Sequence, residues 1–192
     1  MIYPRALRGA PKSVLVALIL EDPGVLQYVA EGVERMGLEL LDAKTLDFPR
    51  HCLHVYRNQL EASCVATYVR SAVSGNAVVL AVVGYDAYVP GLNFVFGLAL
   101  PPLLVATVYT PRLRLGGEKL FAKRLVKEVM HELGHVYGLE HCRVRKCVMS
   151  FSNSLLEVDL KEPAFCPKCA EKLRKLGIEP RAVLGGDEGP IK

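Results

Sequence analysis

Three histidines and a glutamate stand at fixed spacing in His131-Glu132-Leu133-Gly134-His135-Val136-Tyr137-Gly138-Leu139-Glu140-His141, an HExxHxxGxxH string. With five positions specified, a chance occurrence in a chain of this length has a probability on the order of 10⁻⁴. Residues four apart lie one above the other on a helix, so His131 and His135 can aim imidazole nitrogens at one zinc ion about 2.0–2.1 Å away. Glu132 lies about a third of a turn round the helix, where a carboxylate can take a proton from zinc-bound water without filling a ligand position. A helix continuing past His135 would carry His141 away from the metal. Gly138 can turn the chain, because glycine reaches left-handed backbone angles without a Cβ clash, and His141 then returns as a third ligand. Three histidines leave the fourth tetrahedral position open, which is the mark of a catalytic zinc. The competing reading is an amphipathic helix that is merely lined by histidines, with Leu125, Val129, Leu133 and Val136 as its core side. The specificity of the string argues against it.

A second constellation follows at once. Cys142 and Cys147 are separated by four residues, and Cys166-Pro167-Lys168-Cys169 adds a CxxC pair after a gap of 18. Four thiols in two short-spaced pairs suit a closed, tetrahedral Cys₄ zinc site, with Arg143, Arg145, Lys146 and Lys168 placed to offset the thiolate charge. Disulfides are disfavoured without a secretion signal, and a redox CxxC lacks a thioredoxin-like setting here. Cys52, near His51 and His54, and Cys64, at an inward helical position, are read as unbound thiols in preference to a weak metal cluster.

The elements that must position these groups are legible as periodicity. Residues 14–20 and 77–83 are continuous apolar runs fit for strands buried on both faces. Residues 23–36 and 58–73 show helical spacing, residues 38–41 and 103–109 read as strands, and residues 42–56 as irregular. Residues 93–100, between proline-rich flanks, read as an edge strand, and the histidine string lies in a long helix over about residues 118–139.

The chain has 192 residues, 51% of them hydrophobic and 23% charged, which excludes disorder as its main state and suits one domain. The longest apolar runs stop at seven residues, so no helix is expected to cross a bilayer. The formal charge of +4 is local: residues 1–12 hold Arg5, Arg8 and Lys12 with no acid, residues 13–100 hold 5 bases and 9 acids, and residues 101–192 hold 16 and 11. No aromatic-interleaved basic stripe accompanies the excess, so nucleic acid is not the expected partner. The basic start followed by residues 13–20 imitates a secretion signal, but Glu21-Asp22-Pro23 follows with no small-residue cleavage site, and the expected location is cytoplasmic. Residues 1–12 are read as a basic segment, 13–180 as one domain and 181–192 as a flexible tail.

HExxHxxGxxH followed by Met149 resembles the metzincin clan of zinc peptidases. His141-Cys142, Cys147-Val148-Met149 and Cys166-Pro167-Lys168-Cys169 narrow the resemblance to the archaemetzincin family, with further agreement in Gly84-Tyr85-Asp86-Ala87-Tyr88, residues 93–97 and Arg57-Asn58-Gln59. It covers about residues 14–177. The resemblance implies an α/β fold, mixed in the α+β sense, with a twisted mixed sheet, backing and active-site helices and a small Cys₄ zinc-stabilised C-terminal part. It divides the domain into an upper subdomain, 13–138, and a lower one, 139–180. His131, His135 and His141 become ligands of a catalytic zinc, Glu132 the general base and acid, and Met149 the residue of the Met-turn. Cys142, Cys147, Cys166 and Cys169 become ligands of a structural zinc, for two ions per chain. Asn93, Phe94, Val95, Phe96 and Gly97 become the edge that receives an extended substrate. One departure is that no tyrosine occurs after Tyr137, so the tyrosine that certain metzincins place after the Met-turn is absent.

The leading expectation is a monomeric zinc-dependent peptidase acting on peptides or proteins, aminopeptidase or endopeptidase. The alternatives are a zinc-containing peptide-binding protein with little turnover and a nucleic-acid module built on the Cys₄ site, the latter expected to bind with strong salt dependence.

Overall fold

The computed structural model describes residues 9–185. Arg5 and Arg8 of the basic start, and residues 186–192 of the expected tail, lie outside them. Strands β1 (Ser13–Ile19), β2 (Glu39–Thr45) and β5 (Val78–Val83), connected through helices α1 (Leu26–Arg35) and α2 (Ala62–Ala72), make one side of a five-stranded sheet. Strands β7 (Gly97–Leu100) and β8 (Val105–Tyr109) complete it in the order β2-β1-β5-β8-β7. All neighbours are parallel except β7, which runs antiparallel to β8 at the edge. A small second sheet joins β3 (Leu53–His54), β4 (Gln59–Glu61) and β6 (Ala87–Tyr88). Helices α3 (Glu118–Val136), α4 (Leu155–Leu160) and α5 (Pro167–Arg174) follow.

The unbroken apolar run of β5 is divided between two cores by the alternation of a strand. Val78, Leu80 and Val82 face a core shared with α1 and α3, whereas Val79, Ala81 and Val83 face one shared with α2. β1 and β8 divide in the same way, which explains why neither shows a polar face. The mixed sheet with helices on both faces agrees with the α/β class expected. None of the described helices is long and apolar enough to cross a membrane.

Several boundaries differ from the sequence reading. β2 extends to Thr45, through residues read as irregular, because an edge strand paired only to β1 can remain largely exposed. The second helix begins at Ala62, not residue 58: the Glu61 carboxylate accepts the Ser63 and Cys64 amide N–H groups at 3.1 and 2.7 Å, and residues 59–61 pair into the small sheet. Residues 181–185, assigned to the tail, are docked. The Arg181 N–H donates to Arg35 O and the Leu184 N–H to Phe165 O, and Ala182 is buried.

Cys52 and Cys64, read as unbound thiols, are instead joined in a disulfide with their Cα atoms 5.5 Å apart. Nothing in a separation of 12 residues announces the bond; the chain reversal through β3 and β4 brings the two together. By constraining the unfolded chain, a cross-link over a loop this short contributes about 2–3 kcal/mol. The paired change Cys52→Ala and Cys64→Ala is expected to lower the unfolding midpoint, and excess reductant should bring the unsubstituted protein down to the same value. A midpoint insensitive to both treatments would contradict the bond.

Candidate active site and metal centres

Helix α3 packs between the sheet and the C-terminal elements and is buried on nearly every side. Several of its interior charges are therefore satisfied by ion pairs or backbone carbonyls. Arg124 meets Asp159 at 2.7 Å, the Lys127 ammonium donates to Val158 O and Asp159 O, and Glu128 pairs with Lys161 at 2.9 Å. The helix stops where the string anticipates. Gly138 has φ +78°, the Leu139 N–H donates back to Gly134 O, and the chain doubles over so that His141 faces His131 and His135.

The backbone of that return sets the histidine tautomers. Leu139 O lies 2.7 Å from His135 Nδ1, and Val148 O lies 2.8 Å from His131 Nδ1. A carbonyl can only accept, so each Nδ1 carries the proton and each Nε2 presents a lone pair. The two Nε2 atoms face one another at 3.1 Å, and His141 offers a third nitrogen within 4.8 Å. Facing lone pairs have no hydrogen between them, so a cation is the natural partner. Tetrahedral zinc with bonds of 2.0–2.1 Å would set such donors about 3.3–3.4 Å apart, so the cradle fits the ion. Burial holds His131 well below the usual imidazole range, pushes His135 down to about 4 and lowers His141, all favouring the neutral, ligating form.

Glu132 points into the same cleft and packs against the edge strand. A Cβ on Gly97 would meet Glu132 Cγ and Oε1 at 2.5 Å, so only glycine leaves room there for the carboxylate. Burial raises the pKa of Glu132 well above the usual carboxylate value; Glu128 reinforces the rise and Lys161 opposes it. The cleft has a volume of about 490 Å³, and Asn93, Phe94, Val95, Phe96 and Gly97 all line it. The edge strand itself begins only at Gly97. Residues 93–96 are an irregular rim whose backbone is partly committed: Arg57 and Gln59 donate to Asn93 O at 3.0 and 2.9 Å, and the Val95 N–H donates to Ala87 O. Free backbone edge therefore belongs to residues 97–100, a correction to the expectation that residues 93–97 form it.

Three stretches that carried the resemblance meet at this rim. Asp86 binds Arg112 through both carboxylate oxygens at 2.9 and 2.7 Å and accepts from Gln59 at 2.9 Å. The Arg112 guanidinium in turn lies 4.0 Å over the Phe94 ring.

The four remaining cysteines converge behind the histidines. Cys142 Sγ and Cys166 Sγ are 3.7 Å apart, close to the roughly 3.8 Å expected across a tetrahedral zinc with 2.3 Å bonds to sulfur. Backbone N–H groups of Val144 and Cys166 donate to Cys142 Sγ and Cys147 Sγ. The Cys169 thiol, donating to Cys147, pushes Cys147 down to about 5, with the Cys166 N–H assisting. Cys169 is raised by making that bond and Cys142 by burial. The pocket thus accepts one thiolate readily and resists more, a charge conflict that a divalent cation removes.

The centres share backbone. Between Cys147 and Met149 lies Val148, whose carbonyl orients His131, and Met149 O accepts the Cys142 N–H at 2.8 Å. Met149 sulfur packs so closely on Gly134 that no Cβ would fit. The sequence reading missed Glu128 and Lys161, which also line the cleft. Glu128 stands one helical turn before Glu132 and was detectable by spacing, but Lys161 arrives from 33 residues away and was not.

Two histidines and a buried glutamate on one helix, joined by a third histidine returned past the helix end, at the open edge of a mixed sheet, define a zinc metallopeptidase. The sequence profile described as Peptidase family M54 matches residues 67–175. The archaemetzincin of Aeropyrum pernix is 43% identical over 169 residues, spanning 86% of this chain and 88% of the relative, and that of Pyrobaculum aerophilum is 50% identical over 126 residues, spanning 66% and 78%. The chain belongs to this family, the archaemetzincins. The crystal structure of the Methanopyrus kandleri archaemetzincin superposes with a TM-score of 0.79 at 36% identity, covering 92% of this chain and 99% of that one. The Archaeoglobus fulgidus archaemetzincin, complexed with malonate, superposes at 0.75 with 32% identity, covering 83% and 99%.

Proposed function

We propose that His131, His135 and His141 hold the catalytic zinc of this peptidase, that Glu132 is its general base and acid, and that Cys142, Cys147, Cys166 and Cys169 hold a second, structural zinc. The observation that carries the reading is the pair of proton-free Nε2 atoms facing each other beside a buried carboxylate. Held by His131, His135 and His141, zinc would supply Lewis acidity for the scissile carbonyl and for the attacking water. Glu132 takes the proton from the attacking water and delivers it to the leaving amine. A peptide is aligned in extended form by pairing with the outer edge of residues 97–100, and Phe94 and Phe96 contribute apolar wall. Met149, seated under Gly134, supports the helix turn that bears both histidines.

Metal counting after gentle purification tests the reading, combined with hydrolysis of a mixed peptide library. Two zinc ions per chain are expected once zinc is supplied, with one resisting mild chelation and hydrolysis requiring the other. A single ion, or hydrolysis indifferent to chelator, would refute it. Gly97→Ala offers a finer check. By pushing the Glu132 carboxylate aside, it should lower kcat by about 100-fold while leaving both ions bound. Unchanged kcat would remove Glu132 from the chemistry.

A further inference from the structure

The Glu128–Lys161 pair is unusual for its position. Its side chains are 3% and 1% exposed, yet both border the cleft beside His131 and Glu132, where the facing wall is largely apolar. Each side chain has spare capacity. An ammonium has three donors, and Lys161 uses one on Glu128 Oε1, while Glu128 Oε2 has no partner among the described residues. Ser152 Oγ, which borders the same cleft, is also buried without a partner among them. A large apolar group entering here would strip water from these atoms and leave them unsatisfied. A charged group would add net charge to a buried pair that is already neutral.

We propose that the Glu128–Lys161 pair forms a side-chain subsite that selects substrates bearing a primary carboxamide, glutamine or asparagine, next to the cleaved bond. A carboxamide oxygen accepts from Lys161 while its NH₂ donates to Glu128, so both spare groups are used and no charge is added. The assignment rests on reading the cleft as a peptide-binding site. It concerns selectivity, not turnover.

The test uses the zinc-loaded full chain and one peptide scaffold, varied position by position through Gln, Asn, Leu, Phe, Glu and Lys. Affinities are measured with the Glu132→Gln protein, and cleavage with the unsubstituted protein. At one position, Gln or Asn should be favoured over Leu by about 10-fold or more. The paired change Glu128→Leu and Lys161→Met, which replaces the ion pair by apolar groups of similar size, should reverse that preference. Glu128→Gln is the milder variant should the pair fail to fold. It leaves the Lys161 charge uncompensated, so Glu should gain on Gln at the same position. A preference for Leu in the unsubstituted subsite, or a Gln preference untouched by these substitutions, overturns the proposal. Absence of cleavage across the series would count against the peptidase mechanism alone, because the affinities are read without turnover.

Discussion

Replacing Glu132 by glutamine is expected to abolish most peptide hydrolysis, with kcat falling by about 10²- to 10⁴-fold, the usual contribution of a positioned general base. The substitution is nearly isosteric, so the packing of this side chain against Gly97 is retained and the three imidazoles keep their places. Zinc content should therefore not change. Stability supplies a second, independent readout. Burial raises the pKa of Glu132 above its unfolded value, so in metal-free protein the fold favours the protonated form. That preference is fully expressed below the unfolded value and is lost as pH rises through the folded one, so above the unfolded value the buried carboxyl costs stability. A neutral amide escapes the cost. The metal-stripped Glu132→Gln protein should then unfold at the same temperature as its parent or higher, while the zinc-loaded variant is inactive. Retained hydrolysis would eliminate the mechanism, and a large loss of midpoint would show that Glu132 is structural.

What could be read from the sequence depended on the distance over which each feature is determined. The histidine string is local: a 3.6-residue period, one glycine turn and a return of three residues bring His131, His135 and His141 within reach of one another. The cysteine pairs are local in the same sense. The two-faced burial of β5 follows from its uninterrupted apolar run, and the edge position of β7 agrees with its proline flanks. Features made by pairing across the chain left little trace. β2 is polar because an edge strand needs no second apolar face, so its length was hidden. The Cys52–Cys64 bond depends on a hairpin of very short strands, and the Asn93 carbonyl is occupied by side chains from that same hairpin. Lys161 reaches Glu128 only because α4 folds back along α3, with Asp159 meeting Arg124 on the way.

Cys166→Ser is expected to disturb both metal centres, although Cys166 is a candidate ligand of only one. The first consequence is direct. Removing one of four thiolates would open the proposed closed zinc site, whose binding energy is largely folding energy. Loss of such a metal exceeds the common range of single substitutions, at about 4–5 kcal/mol or more. For a chain of this size each kcal/mol moves the midpoint by about 2–4 °C, so a fall of about 10 °C or more is expected. The second consequence travels along the backbone. The Cys166 N–H donates to Cys147 Sγ at 3.3 Å, Val148 O then sets the His131 tautomer, and Met149 O receives the N–H of Cys142, the residue after His141. When the sulfur centre loosens, these fixed points of the histidine cradle loosen with it. A zinc at the three imidazoles, held only by neutral ligands with one position open, should then exchange faster and be lost to weaker chelators. Metal analysis should find fewer than one ion per chain after mild chelation, and hydrolysis should need more added zinc to reach half its maximum. Cys64→Ser removes a cysteine remote from both centres and serves as the comparison, with lower stability but an unchanged zinc requirement. If Cys166→Ser leaves zinc content and midpoint where they were, the four thiols do not form a metal site; if it lowers both but leaves the zinc requirement of hydrolysis unaltered, the two centres are mechanically independent.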